Sequence, residues 1–186
     1  MYFVSSNVNK YREIIDLIQV FKLTDLDLKF KQLELEEIQS ESLVKVSQFK
    51  ALKAFEKIKD VTVVEDDGLF INSLNGFPGV YSSYVFKTIG NSGIIKLLSD
   101  KKNREAVFCS VFAFYDGINI NTFVGEKYGS ISHSSDGEGW GYDPIFIPEG
   151  FEKTFADLGN ELKNMTSHRR IALEKLCNWY LVNKYK

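Results

Sequence analysis

The sequence predicts an α/β fold in which helices flank a mixed β-sheet. Helical and strand patterns alternate through the first part of the chain, and two long strand patterns joined by a tight turn follow later. With 186 residues, 44% of them apolar, the chain is large enough to bury a substantial core. No composition shift, repeat or low-complexity linker indicates a boundary, so we expect a single domain over residues 1–186.

The first half of the chain is predicted to alternate strands with helices. The helix after Asn9 is inferred from apolar residues that recur at helical spacing along one face. Those residues are Tyr11, Ile14, Ile15, Ile18 and Phe21. In chain order, the predicted elements are a strand over Tyr2–Ser5, this helix, a strand through Leu26, Leu28 and Phe30, a helix from Ser42 to about Ile58, and a β-branched central strand over Val61–Val64.

The second half is predicted to contain a long hairpin and a final helix. The strand patterns Glu105–Tyr115 and Ile118–Val124 are joined by Asp116-Gly117, a dipeptide favoured in hairpin turns. Residues 75–90 have a Pro-Gly turn followed by small and aromatic residues, which predicts either a compact surface loop or the entry to a helix. The last helix is predicted from about His168 to Leu181, with Thr166 or Ser167 as N-cap and with Ala172, Leu173, Leu176 and Trp179 on its apolar face.

The composition excludes several classes of protein. The net charge is −2, from 23 basic and 25 acidic side chains, which argues against a nucleic-acid polymer as partner. Cys109 and Cys177 lie far apart and form no C-x-x-C pair, which argues against a disulfide scaffold or a zinc site and favours a reducing, cytoplasmic location. No apolar run is long enough for a signal peptide or a membrane span, so no membrane partner is expected.

The stretch SSNVNK, residues 5–10, joins the first strand to the first helix. Small polar residues leave backbone N–H groups at the helix N-terminus, which favours an anion, and Lys10 lies in the first turn, within reach of that anion. The alternative is an ordinary N-cap at Asn7 with a solvated lysine. Further on, Lys50 lies on a mostly apolar face of the second helix, where it either extends to solvent or points at a phosphate.

Three consecutive carboxylates, Glu65, Asp66 and Asp67, follow a strand pattern that is expected to be buried. Buried carboxylates are costly unless they are paired or bind a metal. Gly68 is predicted to allow a turn directly after them, which places the acids at a strand end that can hold a hard cation such as Mg²⁺. The alternative is a solvated acidic turn. Upstream, Glu37 precedes the second helix, where an acidic residue can also simply favour the helix dipole.

Two later stretches contain candidate base-binding groups. In GWGYDP, residues 139–144, Trp140 or Tyr142 offers a stacking face, and Asp143 can accept hydrogen bonds from ring N–H groups. The alternative is a glycine-rich turn with its aromatic side chains in the core. Arg169 lies in the first turn of the last helix, on its apolar face. We expect it to face a cleft, because the alternative is a buried charge without a partner.

Six stretches together resemble the motifs of the inosine triphosphate pyrophosphatase family, in the same order and over nearly the whole chain. Each motif is weak by itself, but six in order form a strong signal. The matching stretches are SSNVNK (residues 5–10), EEIQ (36–39), EDDGL (65–69), GFPGVYS (76–82), WGYDP (140–144) and LKNMTSHR (162–169).

The resemblance implies an elongated, two-lobed α/β fold with an active-site cleft between the lobes, and a homodimer. It also implies Mg²⁺-dependent hydrolysis of non-standard purine nucleoside triphosphates (ITP, dITP and XTP) to the monophosphate and pyrophosphate. By the family's motifs, the metal ligands are Glu37 and Asp66. The triphosphate-binding residues are Ser5, Ser6, Asn7, Lys10 and Lys50, and the base-site residues are Trp140, Gly141, Tyr142, Asp143, Lys163, His168 and Arg169.

Three residues depart from the family pattern. Ser6 replaces a usual glycine in the phosphate loop, which leaves the backbone less able to approach a ligand. Asp67 replaces a Ser or Thr among the substrate-binding residues, and its extra carboxylate is expected to raise a neighbour's pKa or to recruit a second metal. Trp140 replaces Phe and keeps a stacking face.

The resemblance leads to a mechanism in which water attacks the α-phosphorus and pyrophosphate leaves. Asp66, or Glu65 beside it, accepts the proton, and we favour Asp66 as the catalytic residue because the motif matches that position. Donors from Arg169 and nearby backbone are expected to suit O6 of inosine and xanthine. Two alternative functions are a nucleotide-binding sensor without hydrolysis and a pyrophosphatase acting on a different (d)NTP.

Overall fold

The computed structural model describes residues 1–20 and 26–183, and within them the chain forms seven β-strands and six α-helices. Phe21, which is predicted to lie on the apolar face of the first helix, falls outside the described residues. In chain order the elements are β1 (Tyr2–Ser5), α1 (Val8–Val20), β2 (Lys29–Gln32), α2 (Leu43–Ile58), β3 (Thr62–Ile71), β4 (Pro78–Gly79), α3 (Ser82–Thr88), α4 (Gly90–Leu97), β5 (Glu105–Tyr115), β6 (Ile120–Ile131), β7 (Phe146–Pro148), α5 (Phe155–Thr166) and α6 (His168–Asn183).

The described strands form a mixed sheet, which confirms the predicted α/β class. The strand order is β2-β1-β3-β5-β6-β7, and the two-residue strand β4 pairs with β3. β1 runs parallel to both β2 and β3, with Tyr2 opposite Lys29 on one side and Thr62 on the other. The pairs β3–β4 and β6–β7 are antiparallel. Parallel pairing therefore occurs where helices connect the strands, as the early strand–helix alternation predicts.

The chain divides into two compact units. The first comprises Met1–Asp66, Ser110–Gly125 and Arg169–Lys186, and the second comprises Asp67–Cys109 and Glu126–His168. The expected single domain, the elongated shape and the cleft between two lobes stay predictions. No helix among the described residues is long and apolar enough to cross a membrane.

The main core of the first unit is formed by α1, α6 and the strands they cover. The predicted apolar faces of both helices are confirmed, since Ile14 and Ile18 on α1 and Leu173 and Leu176 on α6 are buried in one cluster. These positions recur at the three- and four-residue spacing that places side chains on one side of a helix. The same cluster contains Phe3, Leu17, Leu26, Leu28, Val63, Phe112, Phe114, Phe123, Ala172 and Cys177.

The second unit has a separate apolar core. Its buried members come from β3, from the helices α3 to α5, from the strands β5 to β7, and from the segments directly after α4 and before β7. They are Leu69, Ile71, Val85, Ile94, Leu98, Ala106, Phe108, Ile131, Tyr142, Ile145, Phe146 and Phe155. Each unit therefore buries apolar surface of its own, and apolar burial is the dominant favourable term in folding.

The helix α2 and the hairpin turn were predicted closely. Ser42 is the N-cap of α2, and its side chain accepts a hydrogen bond from the backbone N–H of Lys45. The hairpin turn lies at Asp116, whose Oδ1 accepts hydrogen bonds from the backbone N–H groups of Asn119 and Ile118 at 2.7 and 2.8 Å. These hydrogen bonds hold the pKa of Asp116 below its ordinary value, and the one from Asn119 has the largest effect. β6 continues past the predicted end at Val124 to Ile131.

The structure corrects the prediction that the chain turns at Gly68 directly after the three carboxylates. β3 continues through Gly68 to Ile71, so Glu65, Asp66 and Asp67 lie within the strand rather than at its end. The physical reason for the glycine is a close backbone contact, because a Cβ atom at Gly68 would lie 2.5 Å from the carbonyl oxygen of Gly79 on β4. Glycine in a strand often reports such an approach of another backbone.

The segment 75–90 is a helix entry rather than a surface loop, because β4 is followed by α3 and α4. Four elements, β4, α4, α5 and β7, were not predicted. β7 has three residues, and α5 is interrupted at Gly159, whose φ of 79° is not helical. Such short or broken segments give no sustained periodicity, which explains why the sequence did not reveal them.

We expect Gly68→Ala to destabilise the protein by about 1–3 kcal/mol, the usual cost of forcing an extra methyl into a packed site. Chemical denaturation followed by circular dichroism measures this change in the free energy of unfolding. A variant as stable as the parent would contradict the close contact with Gly79 as the reason for a glycine here.

Candidate active site

Seven charged side chains of the first unit form a continuous series in which negative and positive groups alternate. Each neighbouring pair in the series lies within 4 Å. In order, the series is Glu13, Arg169, Glu65, Lys10, Asp66, Lys50 and Glu37. We call it the charge series. Its members range in exposure from the fully buried Arg169 and Glu65 to Glu37, whose side chain is 57% exposed.

Glu65 is the buried acid of this series, and its side chain is 0% exposed. Its Oε2 lies 2.9 Å from the Lys10 ammonium, and its Oε1 lies 3.3 Å from Nε of Arg169. The hydroxyl of Ser110 on β5 donates to Oε1 at 2.6 Å. A carboxylate buried in this way requires charged partners and hydrogen bonds. Cations therefore lie beside both oxygens of this carboxylate.

Lys10 is buried, and the start of α1 fixes its position. The side-chain oxygen of Asn7 accepts hydrogen bonds from the backbone N–H groups of Asn9 and Lys10, at 2.9 and 3.4 Å, and Ser5 Oγ accepts one from Asn7 at 3.1 Å. Asn7 is therefore the N-cap of α1, as the alternative interpretation of residues 5–10 predicted. That interpretation also predicted that Lys10 is solvated. This prediction is wrong, since the Lys10 ammonium contacts Glu65 and lies 3.9 Å from Asp66.

Lys50 on α2 joins the two carboxylates that were predicted to bind a metal. Its ammonium donates to Glu37 Oε1 at 2.9 Å and lies 3.6 Å from Asp66 Oδ1. The lysine side chain is 14% exposed, so it does not extend into solvent along the helix face. Asp66 therefore lies between the ammonium groups of Lys10 and Lys50. The arrangement presents positive charge beside a partly exposed carboxylate.

The expectation that Arg169 faces a cleft is wrong. The residue is 1% exposed, and its guanidinium pairs with Glu13 on α1 and with Glu65 on β3. The expectation assumed that a buried arginine here would lack a partner. The sequence did not show that two acids from distant positions would pair with Arg169. These pairs make burial of the guanidinium tolerable.

In the second unit, Asp143 and Lys163 form a second buried ion pair. The Lys163 ammonium donates to Asp143 Oδ2 at 2.5 Å, and both side chains are almost completely buried. The same ammonium lies 5.2 Å from the ring centroid of Trp140, a distance typical of a cation–π contact. Trp140 is half-buried, and Gly141, with a φ of 64°, allows the chain to turn directly after it.

Tyr142 lies in the core of the second unit, which agrees with the alternative of a glycine-rich turn with its aromatic side chain inside. Its hydroxyl donates to the carbonyl oxygen of Ser82 at 2.8 Å, and its ring packs edge-on against Phe86. Burial, and then the negative charge of Asp67, raise the pKa of Tyr142 above its ordinary value. The expectation that Asp67 raises a neighbour's pKa is therefore confirmed.

His168 is also buried, and its ring is parallel to that of Phe108 at a centroid distance of 4.3 Å. This stacking holds the imidazole in the core of the second unit. The candidate residues thus fall into two groups, one in each unit. Ser5, Asn7, Lys10, Glu37, Lys50, Asp66 and Arg169 belong to the first together with the exposed Ser6, and Asp67, Trp140, Gly141, Tyr142, Asp143, Lys163 and His168 belong to the second.

Sequence reasoning missed two members of the first group, Glu13 and Ser110. Glu13 follows Lys10 by three residues on α1, a spacing that places both on one helix face, so a signal was present. Ser110 is fully buried in the apolar strand pattern of β5. A serine within such a pattern indicates a buried polar partner, because its hydroxyl must form a hydrogen bond there.

The residues present fit a divalent cation that is completed by other ligands. Within residues 1–20 and 26–183, no group of three or more His, Cys, Asp or Glu side chains is arranged to hold a metal ion by itself. Glu37 and Asp66 supply two carboxylates that already share one cationic partner, Lys50. Mg²⁺ in phosphate-processing sites is commonly bound by one or two carboxylates, with waters and substrate phosphates as the other ligands.

Comparison with known proteins shows what this chain is similar to. The model of the Ham1 family matches residues 1–179. The chain belongs to the Ham1 family. It is 45% identical to a protein of Methanopyrus kandleri named dITP/XTP pyrophosphatase, over 97% of this chain and 96% of the relative. A relative of the same name from Pyrococcus horikoshii is also 45% identical, over 98% and 97% of the two chains. The predicted family membership is confirmed.

Solved structures of other Ham1 proteins share the fold of this family member. The Ham1 protein of Staphylococcus aureus matches with a TM-score of 0.79 and 28% identity, covering 100% of both chains. A HAM1 protein from Coxiella burnetii matches with a TM-score of 0.81 and 26% identity, over 97% of this chain and 98% of its own. The fold prediction is thereby supported by both the elements and the neighbours.

We expect Glu65→Gln to destabilise the protein by about 3–5 kcal/mol, because it removes the buried charge that Lys10 and Arg169 share and leaves them with Asp66 and Glu13, respectively. Glu56→Gln is the matched control, since Glu56 pairs with Lys53 at an exposed position of α2. Urea denaturation of both variants at neutral pH measures the difference. Equal, small effects in the two variants would show that the charge of Glu65 does not stabilise the fold.

Proposed function

We propose that this Ham1-family protein hydrolyses non-standard purine nucleoside triphosphates, dITP, XTP and ITP, to the monophosphate and pyrophosphate. The observation that carries the proposal is the half-buried Asp66 between the ammonium groups of Lys10 and Lys50. A triphosphate needs positive charge to bind and a carboxylate nearby to accept a proton from water. The relatives named dITP/XTP pyrophosphatase support the choice of substrate.

In the proposed reaction, a water oxygen bonds to the α-phosphorus, and the bond from that phosphorus to the oxygen bridging to the β-phosphate breaks. Pyrophosphate leaves with the bridging oxygen. Asp66 accepts the proton that the water loses. Lys10 and Lys50 attract the triphosphate and stabilise the negative charge that grows on the leaving group. The small residues Ser5, Ser6 and Asn7 at the start of α1 bind phosphate oxygens through the helix N-terminus.

We propose that the enzyme uses a divalent cation, Mg²⁺, held by Glu37 and Asp66. When bound, the ion neutralises phosphate charge and fixes the orientation of the triphosphate. The two carboxylates support this assignment by their chemistry, since Mg²⁺ prefers oxygen ligands. We further propose a homodimer, on the family resemblance, and a cytoplasmic location, because Cys109 and Cys177 lie far apart in the sequence and form no C-x-x-C pair.

For the base, we propose a site in the second unit around Trp140. Its indole offers a stacking surface of a kind that purines commonly use. The buried Lys163–Asp143 pair beside it provides charged polar groups, and Tyr142 and His168 support the site from the core. Hydrogen-bond donors that match the O6 acceptor of hypoxanthine and xanthine leave the 6-amino group of adenine unmatched, which discriminates by about 10⁴ or more.

The substrate assignment predicts a specific profile of pyrophosphate release. With Mg²⁺ we expect fast release from dITP, ITP and XTP and slow release from ATP, because adenine carries a 6-amino group where the first set carries the O6 acceptor. Guanine also carries O6, so we expect slow release from GTP through rejection of its 2-amino group. The assay includes dUTP and a reaction without metal. Binding of ITP with no release from any nucleotide would favour a sensor instead, and fast release from dUTP alone would favour a pyrophosphatase for a different nucleotide.

Asp66→Asn is expected to lower kcat for dITP by roughly 10²-fold or more, because the amide cannot accept the proton from water. The fold should be retained, since the two side chains have the same shape. Asp100→Asn, at a position that is 77% exposed, is the matched control and should retain full activity. Steady-state pyrophosphate release measures both. Near-normal turnover by Asp66→Asn would rule out Asp66 as the proton acceptor.

A further inference from the structure

Lys50 pairs with both of the carboxylates that are proposed to hold the metal ion. The Lys50 ammonium lies 2.9 Å from Glu37 and 3.6 Å from Asp66, the two carboxylates assigned to the metal. A positive group that pairs with both acids reduces the repulsion between them. The acids are therefore kept near one another in the protein alone by a cation that belongs to the chain.

A divalent cation adds two positive charges to a place where two ammonium groups already face Asp66. Lys10 lies 3.9 Å from Asp66 and Lys50 lies 3.6 Å from it. Like charges at such short distances repel, most strongly where water is partly excluded. Binding of the ion next to Asp66 is therefore expected to favour withdrawal of one ammonium group.

The structure determines which of the two lysines can withdraw at lower cost. Lys10 pairs with Glu65, whose side chain is 0% exposed, so its departure would weaken the compensation of a buried carboxylate. Lys50 pairs with Glu37, whose side chain is 57% exposed and can be solvated instead. Glu37 also lies in a segment without helix or strand, residues 33–41, which adjusts more easily than α1 or β3.

We propose that Lys50 is a placeholder for the divalent cation, holding Glu37 and Asp66 until the ion displaces its ammonium group. The displaced ammonium is then released from the carboxylates at the moment when the metal arrives, and it becomes available to a phosphate. Metal binding and phosphate capture are thereby coupled through one side chain. This inference rests on the proposed function, because it takes Glu37 and Asp66 as the metal-binding residues.

The first test measures metal affinity without nucleotide. Lys50→Met removes the competing charge and keeps a long side chain, so we expect it to bind Mn²⁺ about tenfold more tightly than the parent protein. Lys50→Arg keeps the charge and should bind like the parent. The control is Lys53→Met, which removes a half-buried lysine of the same helix that pairs with Glu56 rather than with Glu37 or Asp66. The concentration of free Mn²⁺ is measured by electron paramagnetic resonance, and Mg²⁺ is added as a competitor.

The results separate a placeholder from a merely structural ion pair. If Lys50 only holds the carboxylates in place, Lys50→Met will bind Mn²⁺ equally or more weakly, and the proposal is overturned. It is also overturned if neither the parent nor Lys50→Met binds Mn²⁺. Circular dichroism confirms that each variant is folded before its affinity is compared.

A second test uses the unaltered protein and does not depend on how a variant folds. An amine-acylating reagent is applied with and without Mn²⁺, and acylation of each lysine is quantified by mass spectrometry. We expect acylation of Lys50 to increase severalfold with Mn²⁺, because its ammonium is released toward solvent, while acylation of Lys53 stays constant. Unchanged acylation of Lys50 under saturating Mn²⁺ contradicts the exchange.

The failure of this inference is distinguishable from the failure of the proposed function. If Mn²⁺ displaces the Lys50 ammonium but the protein releases no pyrophosphate from dITP, ITP or XTP, the proposed function is overturned and the exchange still holds. Metal-dependent hydrolysis of dITP in a protein whose Lys50 does not respond to Mn²⁺ would overturn the exchange alone.

Discussion

The arrangement of the first unit depends on the burial of one carboxylate, that of Glu65. An acid without solvent is tolerated only when cations and hydrogen bonds surround it, and here the partners come from three other elements. Lys10 comes from α1, Ser110 from β5 and Arg169 from α6. The contacts that make burial of Glu65 tolerable therefore also fix how α1, β5 and α6 pack against β3.

The alternation of charge fits the proposed function as well as the fold. Apolar side chains of similar volume often replace buried ion pairs without loss of stability, so stability alone is a weak reason for keeping seven charges together. Chemistry on a triphosphate is a stronger reason, because it needs ammonium groups and carboxylates within a few ångströms of each other. Alternation lets Lys10, Asp66 and Lys50 coexist without net repulsion before any ligand is present.

Much of the fold and part of the site could be predicted from the sequence. The helices α1, α2 and α6 and the hairpin turn at Asp116 were found because periodicity, caps and turn residues act within a few residues of each other. The turn assigned to Gly68 was wrong because a glycine in a strand can serve a neighbouring backbone, and the sequence does not show that the neighbour is Gly79. Local patterns thus predicted local structure.

The site residues that were misjudged all depend on contacts between distant parts of the chain. Ser110 and Glu65 are separated by 45 positions, and Glu13 and Arg169 by 156. Composition and spacing contain no information about such pairs in a single sequence. The family motifs supplied the candidate residues, but they did not indicate that Arg169 would be enclosed by two acids.

The charge series also has a consequence for behaviour on heating. The hydration free energy of charged groups becomes less favourable as temperature rises, so the cost of removing these groups from water falls, while the stabilisation from apolar burial levels off. The contribution of the series to the first unit therefore grows with temperature relative to that of the core around Phe3 and Leu176. A warm environment favours the very interactions that are costly in a cold one.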